Sequence, residues 1–180
     1  LPPIDGLYIG GGFPETHIEE LAANTSFRRS LHEAVENDLP VYAECGGAMF
    51  LGECVRVQNK TYPMTGIFPV VFTLDKKPRG HGYTILKSDT INPFLENGLV
   101  VRGHEFHYSR VEKWKKDQIL LALEVKRGFG FDGKRDGLFY KNAFSTYTHI
   151  HSLGEKWWAT TLIRKAEMYK NNCFNRATYN

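Results

Sequence analysis

The chain has 180 residues, enough for one domain with a substantial core, or for one domain and a small extension. Hydrophobic residues make up 42% and charged residues 24%, which is ordinary for a soluble globular protein, and the net charge of +3 is too small to indicate a nucleic-acid-binding surface. The sequence has no signal-peptide pattern and no apolar stretch near the roughly 18 residues of a membrane span, so we expect neither secretion nor membrane insertion. The three cysteines Cys45, Cys54 and Cys173 cannot all pair within the chain, which favours reduced thiols and a cytoplasmic protein.

The N-terminal part of the chain alternates between strand and helix patterns. Residues 4–9 predict a strand that ends in three glycines, and Pro14 is a favourable first-turn residue for the helix that follows. Residues 24–26 offer N-caps for a second helix, whose apolar residues recur at a helical period. Residues 39–43 predict the next strand. This order predicts a parallel sheet with right-handed crossovers.

The rest of the chain predicts mainly strands, which we expect to extend the sheet in antiparallel fashion. A hairpin with its turn at Lys141-Asn142 should join residues 138–140 to 143–149, a last helix should cover 155–169, and a polar tail should follow at 170–180. The strands predicted before that hairpin are residues 67–74, 82–86, 99–101, 105–111 and 119–125.

Cys45 follows the predicted strand 39–43 and precedes two glycines and an apolar helical run at 48–51. This is the pattern of a nucleophile elbow, a sharp strand-to-helix turn that exposes a reactive side chain and needs small neighbours. The nearby helix N-terminus would favour the thiolate. From this motif alone, a buried and inert cysteine is an equally good interpretation.

A thiol needs a base to react at neutral pH, and the chain has seven histidines. His17 and His32 fall in predicted helices and are better interpreted as solvent-facing. His149 and His151 end a predicted strand, and their spacing of two would place both on one face of it. Because catalytic groups gather at strand ends in open α/β sheets, we expect Cys45 and His149 to meet.

Three other patterns suggest ligand sites. His149, His151 and Cys45 could bind zinc, but no carboxylate or second cysteine lies at ligand spacing, so we predict no metal. The amides of residues 10–12 could hold an anion, although no Gly-Lys-Ser/Thr follows them as in a phosphate loop. Residues 128–133 match G-x-G-x-x-G but precede a predicted strand, which indicates a loop between strands rather than a dinucleotide site.

Five separated segments of the chain together match one known family. They are residues 5–15, 43–47, 102–109, 133–137 and 147–151. In this order they resemble the glutaminase domain of cobyrinic acid a,c-diamide synthases, and the resemblance runs from Asp5 to about Trp158.

The resemblance implies a flavodoxin-like α/β fold of the class I glutamine amidotransferases. We expect a mixed, mostly parallel central sheet with flanking helices and an antiparallel extension within residues 1–169, with 170–180 as the tail. In the family, this domain releases ammonia from glutamine for an N-terminal synthetase domain of the same polypeptide. That domain uses ATP to activate acetate side chains of a tetrapyrrole, which ammonia then converts to amides.

The synthetase domain and its phosphate loop are not part of this sequence. We therefore expect no cofactor here, and ATP and Mg in the synthetase domain. Cobyrinic acid, hydrogenobyrinic acid, nickel-sirohydrochlorin and siroheme all remain open as the amide acceptor.

The resemblance also implies the site residues. Cys45 matches the nucleophile and His149 the histidine that activates it, while Gly46 and the loop glycines Gly11 and Gly12 are expected to bind the substrate through their amides. The segment 102–109 is expected to help position the glutamine or to border the synthetase domain, although a plain buried strand is an equally good interpretation, and Glu105 is the candidate substrate-binding carboxylate in it.

The sequence leaves several options open for the third member of the catalytic triad. Many class I glutaminases carry a glutamate two residues after the catalytic histidine, where this chain has His151. The site could therefore be a Cys–His dyad, or His151 or another group could orient His149. Two alternative functions also stay open: another cysteine hydrolase of this architecture, peptidase-like or deglycase-like, and a non-catalytic regulatory module.

Overall fold

The structure, a computed structural model, describes the backbone of residues 1–178 and the side chains of 1–115 and 117–175. Its strands are β1 (Leu7–Ile9), β2 (Val41–Glu44), β3 (Cys54–Val57), β4 (Lys60–Pro63), β5 (Val70–Leu74), β6 (Gly80–Ser88), β7 (Val100–His107), β8 (Ser109–Trp114), β9 (Leu120–Arg127), β10 (Arg135–Tyr140) and β11 (Ala143–Thr146). Its helices are α1 (Ile18–Ala23), α2 (Thr25–Glu36), α3 (Gly46–Leu51) and α4 (Trp157–Thr178), with 3-10 turns at Pro14–His17 and Lys116–Gln118.

A seven-stranded mixed sheet with the order β1-β2-β11-β10-β9-β6-β7 forms the centre of the domain. Strand β2 lies between β1 and β11 and is parallel to both, with Ala43 opposite Ile9 on one side and Ser145 on the other. The predicted hairpin at Lys141 is confirmed as β10–β11, and Lys141 has the positive φ of 50° that a tight turn needs. The carboxyl end of β2 therefore lies in the middle of the parallel part of the sheet.

The prediction of a mixed sheet is confirmed, but the prediction that it is mostly parallel is wrong. The β1–β2 and β2–β11 pairings are parallel, whereas the pairings β11–β10, β10–β9, β9–β6 and β6–β7 are antiparallel. Parallel neighbours need a long crossover, usually through a helix, and the middle of the chain has only short strands and turns. The antiparallel extension is thus larger than the parallel part that it extends.

A second sheet of four strands has the order β4-β3-β5-β8. Its hairpin β3–β4 was not predicted. The turn begins at Gln58, whose φ of 54° is uncommon for a residue other than glycine, and no Gly or Pro marks it in the sequence. The sequence predicted two strands, 99–101 and 105–111, in the region that forms β7 and β8. The break between β7 and β8 is at Tyr108, where the chain passes from the large sheet to the small one.

The helices largely follow their predicted positions. The side chain of Asn24 accepts a hydrogen bond from the Phe27 amide and so caps α2, as predicted. Helix α4 starts at Trp157 and continues to Thr178, so most of the predicted tail is helical; residues 179–180 of that tail lie outside the described residues.

Two apolar clusters pack against the central sheet. One contains Val41, Ala43 and Cys45 together with residues of α2 and α3, and the other contains Tyr42 and Phe144 and is covered by tryptophans of α4. Alternate residues of β2 thus point to opposite faces of the sheet. No helix among the described residues is long and apolar enough to cross a membrane.

Candidate active site

Cys45 lies in the sharp turn between β2 and α3, with φ 48° and ψ −104°. Non-glycine residues adopt such backbone angles at a cost of about 1–3 kcal/mol, and they cluster at functional sites. A Cβ on Gly46 would lie 2.5 Å from the Gly12 carbonyl oxygen, and one on Gly47 would lie 2.6 Å from that of Ile9. Only glycines fit beside the cysteine, which confirms the predicted elbow.

The thiol of Cys45 is nearly buried, with 5% of the residue exposed. Its amide donates to the Thr146 carbonyl of β11 at 2.8 Å, and Sγ lies 3.9 Å from the Phe106 carbonyl oxygen of β7. The cavity that Cys45 lines has a volume of only about 10 Å³, room for one water at most, and Phe13 and Phe106 are among its walls. The described conformation therefore has no room for a glutamine side chain at Sγ.

His149 reaches Cys45 from the segment that follows β11. A pair of backbone hydrogen bonds with His104, of 2.7 and 3.1 Å, ties His149 to the edge strand β7. A Cβ on Gly103 would overlap the carbonyl oxygen of His149, so the close approach of the two segments depends on that glycine. The two imidazole rings are stacked with their centres 5.1 Å apart.

The electrostatics of His149 suit an acid–base group. Its hydrogen bond with Cys45, and to a lesser extent the one with Glu44, raises the pKa of His149 from 6.5 to about 9 against the opposing effect of burial. At neutral pH the ring is then an imidazolium, the state that follows transfer of a proton from the thiol. The predicted meeting of Cys45 and His149 is confirmed by this contact.

The prediction that His149 and His151 share a strand face is wrong, because β11 ends at Thr146. His151 is exposed in a turn, and its Nδ1 accepts the amide of Leu153 at 3.3 Å. The side chain that contacts Nδ1 of His149 is instead Glu44, at 3.3 Å.

Glu44 was not identified from the sequence. It is the last residue of β2, only 3% exposed, and its carboxylate also accepts the hydroxyl of Tyr8 at 3.1 Å and the amide of Ile150 at 3.3 Å. A charged residue directly before the cysteine, at the end of an otherwise apolar strand, is the signal that could have revealed it. Burial and Glu44 together raise the pKa of the Tyr8 phenol to about 12.

The three glycines predicted to bind the substrate lie beside His149 or along a groove next to it. Gly11 packs against the His149 ring so closely that a Cβ there would overlap Cε1. Gly11, Gly12 and Gly46 line an open, mainly apolar groove of about 570 Å³, and Cys45 is not among the residues that line it. Gly12 and Phe13 line both this groove and the small cavity at Cys45, and so form the wall between them.

Glu105 has contacts that differ from those expected of a substrate-binding residue. It is 3% exposed, and its two carboxylate oxygens accept the backbone amides of Phe129 and Gly130, the latter at 3.1 Å. It also lies 3.5 Å from Nε2 of the equally buried His107. These contacts hold the 128–133 loop, which lies between β9 and β10 as predicted.

A third buried carboxylate, Asp136, supports the segment that leads to His149. It accepts the Thr146 hydroxyl at 3.0 Å and the Tyr147 amide at 3.2 Å. Burial raises the pKa of Asp136 from 3.8 to about 7 in spite of these bonds. Within the part of the chain that the structure describes, no three His, Cys, Asp or Glu residues are grouped as a metal site.

A cysteine on a strained turn at the end of a parallel strand, with a histidine from a later segment, is the arrangement of the class I glutamine amidotransferases. One solved glutamine amidotransferase superposes with a TM-score of 0.64 at 12% identity, covering 91% of this chain and 79% of that one. Another, from Thermotoga maritima, has a TM-score of 0.54 at 15% identity and covers 91% of this chain and 65% of that one. At these identities the likeness shows the fold.

The chain belongs to the family of CobB/CobQ-like glutamine amidotransferase domains, whose sequence profile matches residues 1–157. It is 38% identical over 168 residues to the cobyrinate a,c-diamide synthase of Archaeoglobus fulgidus, covering 92% of this chain and 36% of that protein. It is 40% identical over 164 residues to that of Magnetococcus marinus, covering 91% and 35%. The chain thus spans about a third of the length of these relatives.

Proposed function

We propose that this domain hydrolyses glutamine through a thioester on Cys45 and supplies ammonia to an amide-forming synthetase. The observation that carries the proposal is the contact between His149 and a cysteine held on a strained turn, in a chain of this family. It favours Cys45 among the three cysteines, since Cys54 lies on strand β3 and Cys173 on the exposed part of α4.

In the proposed reaction, His149 takes the proton of the Cys45 thiol, and the sulfur attacks the carboxamide carbon of glutamine. The C–N bond breaks as His149 returns the proton to the departing ammonia, leaving a γ-glutamyl thioester. His149 then activates a water that cleaves the C–S bond and releases glutamate.

Backbone amides stabilise the oxyanion in this proposal. The candidates are the amide of Gly46 and one from the 10–12 loop, and a single such donor contributes about 3 kcal/mol to the transition state. The close packing of Gly46 on Gly12 places these two segments side by side.

We further propose that the 10–13 segment moves before glutamine binds. Gly12 and Phe13 separate the roughly 570 Å³ groove from the roughly 10 Å³ cavity at Cys45, so their displacement would join the two spaces. Three consecutive glycines allow such a rearrangement at little cost in strain. By itself the domain is then a poor or uncoupled glutaminase, and contacts with the synthetase domain complete the site.

The acceptor in this proposal is cobyrinate, because the curated relatives are named cobyrinate a,c-diamide synthases. Activation of its carboxylates requires ATP and Mg, which we assign to the synthetase domain of the same polypeptide.

The test measures glutamate release and amide formation by the full polypeptide. We expect release to rise when ATP and cobyrinate are added, and amide product to form with them. The 180-residue chain assayed alone should form no amide. ATP-dependent amidation by this chain alone would contradict the assignment of amide formation to the synthetase domain. Hydrolysis of a peptide panel in preference to glutamine would favour the peptidase-like alternative instead.

A glutamine-derived chloroketone provides an independent check on the nucleophile. We expect it to label Cys45 and spare Cys54, which has no histidine partner among the described residues and whose pKa is raised, first by burial. Labelling of Cys54 in preference to Cys45 would contradict the proposal.

A further inference from the structure

We propose that Glu44, the residue directly before the nucleophile, is the positioning residue that orients His149 as the third member of the triad. This inference rests on the proposed function and deepens it. Glu44 would take the role that many class I glutaminases give to a glutamate two residues after the histidine, a position where this chain has His151.

The geometry at the end of β2 explains how the His149 ring can contact both Glu44 and Cys45. Tyr42 and Ala43 belong to the apolar clusters on opposite faces of the sheet, and Glu44 and Cys45 continue this alternation. His149 lies at the end of the strand, between the two faces. It can therefore contact Glu44 on one side and Cys45 on the other.

The hydrogen bond at Nδ1 determines the tautomer of His149. An ionised carboxylate has no proton to donate, so the ring must donate at Nδ1, where Glu44 Oε2 lies at 3.3 Å. When the ring is neutral, its remaining proton is then on Nδ1, and Nε2 is the basic nitrogen that can take the thiol proton. This is the role that the carboxylate plays in a Ser-His-Asp triad.

Glu44 is itself held in place, as a positioning residue must be. Tyr8 donates to Oε2 and the Ile150 amide donates to Oε1, while the side chain is shielded from solvent. The Ile150 contact also ties the carboxylate to the residue next to His149, so the backbone and the ring of that segment are fixed by one group.

His151 has no comparable arrangement. It is exposed, and the lone pair of its Nδ1 accepts an amide within its own turn.

The test compares Glu44→Gln with wild type in the full polypeptide. We expect kcat for glutamine hydrolysis to fall at least about tenfold, with KM within about threefold, because the charge that stabilises the imidazolium is lost while the glutamine contacts remain. Glu155→Gln is the matched control. Glu155 also accepts a backbone amide and a ring N–H, from Arg102 and Trp157, and its substitution should leave kcat unchanged.

The second readout is the pKa of His149, followed by NMR. The titratable groups around the ring are Cys45, Glu44 and His104, with Tyr8 beyond Glu44. We expect the pKa of His149 to fall in Glu44→Gln and to recover in part in Glu44→Asp, which keeps the charge. A purely structural role for Glu44 would not predict that recovery.

An unchanged kcat together with an unchanged His149 pKa in Glu44→Gln would overturn the proposal. If Glu44→Gln does not fold, Glu44→Asp is compared with wild type instead. We then expect both kcat and the pKa of His149 to fall, and the proposal is overturned if neither of them changes. If the wild-type protein releases no glutamate, the proposed function fails, but the NMR titration still measures whether Glu44 controls His149.

Discussion

Two clusters next to Cys45 contain the same residue types and differ in burial and in what those residues can do. The first is Tyr8, Glu44 and His149, and the second is Tyr147, Glu105 and His107. In the first, Glu44 binds Nδ1 of a histidine whose side chain is 21% exposed and which contacts the thiol. In the second, the histidine side chain is 2% exposed and no hydrogen bond to the thiol accompanies it.

The second cluster serves the packing of the fold. Nδ1 of His107 is bonded to the Ser109 carbonyl at 2.8 Å, and its ring is stacked on Tyr147 with centres 3.8 Å apart. The carboxylate of Glu105 binds backbone amides of the 128–133 loop and does not bind Nδ1 of His107. A Glu–His pair beside Cys45 is therefore not enough for the proposed role. Nε2 of His107 has no hydrogen-bond partner among the described residues, but it is buried and does not contact the thiol, whereas His149 is partly exposed and does.

Removing the thiol should have the largest effect. We expect Cys45→Ala to abolish glutamine hydrolysis by the full polypeptide with the fold retained, because no other group at the elbow can form the thioester. Cys54→Ala is the control and should keep near-normal turnover, since Cys54 lies on β3. Near-normal glutaminase activity in Cys45→Ala, measured as glutamate release, would remove the basis of the proposed function.

Removing the two histidines of the 149–151 segment should separate their roles. His149→Ala should lower kcat at least about 10²-fold, the usual scale of general acid–base catalysis. His151→Ala should change kcat by less than about threefold, because surface substitutions away from special contacts have small effects. Equal losses in the two variants would show that His151 also acts in the site.

Changes in the second cluster should lower stability more than turnover. Glu105→Gln leaves one of two backbone amides without its acceptor and should lower the free energy of unfolding by about 1–3 kcal/mol, measured by denaturant unfolding. His107→Phe keeps the ring stacked on Tyr147 but frees the Ser109 carbonyl, with a loss of similar size. A raised KM for glutamine in Glu105→Gln at unchanged stability would restore the substrate-binding role expected from the sequence.

The smallest effect we predict is on the pH dependence of stability. The raised pKa of His149 contributes stability that is complete below pH 6.5 and is lost as pH rises through about 9. The raised pKa of Asp136 contributes stability that is complete below pH 3.8 and is lost as pH rises through about 7.

Unfolding free energies measured from pH 4 to 10 should resolve these two windows. His149→Ala should remove the upper one and Asp136→Asn the lower one, each leaving the other in place. Stability that rises with pH between 7 and 9 in wild type, relative to His149→Ala, would contradict the assigned imidazolium.

The sequence by itself determined the elbow and the family, and it predicted which cysteine would be the nucleophile. An apolar strand followed by Cys45 and two glycines is a local pattern, and the steric demand of a tight turn can be read from neighbouring residues. The hairpin at Lys141 and the cap of α2 at Asn24 are local in the same sense, and the structure confirms both.

Only the tertiary structure decided which carboxylate meets which histidine. Glu44 and His149 are far apart in sequence, and their contact depends on β11 lying parallel to β2 and ending at Thr146, just before the segment that returns over the strand end. The sequence pattern predicted a strand that continues beyond Thr146. It therefore placed His151 beside His149 and did not include Glu44 in the site. Glu105 illustrates the same point: a carboxylate in a motif reveals its chemistry, but only the packing around it shows that its oxygens are bound to backbone amides.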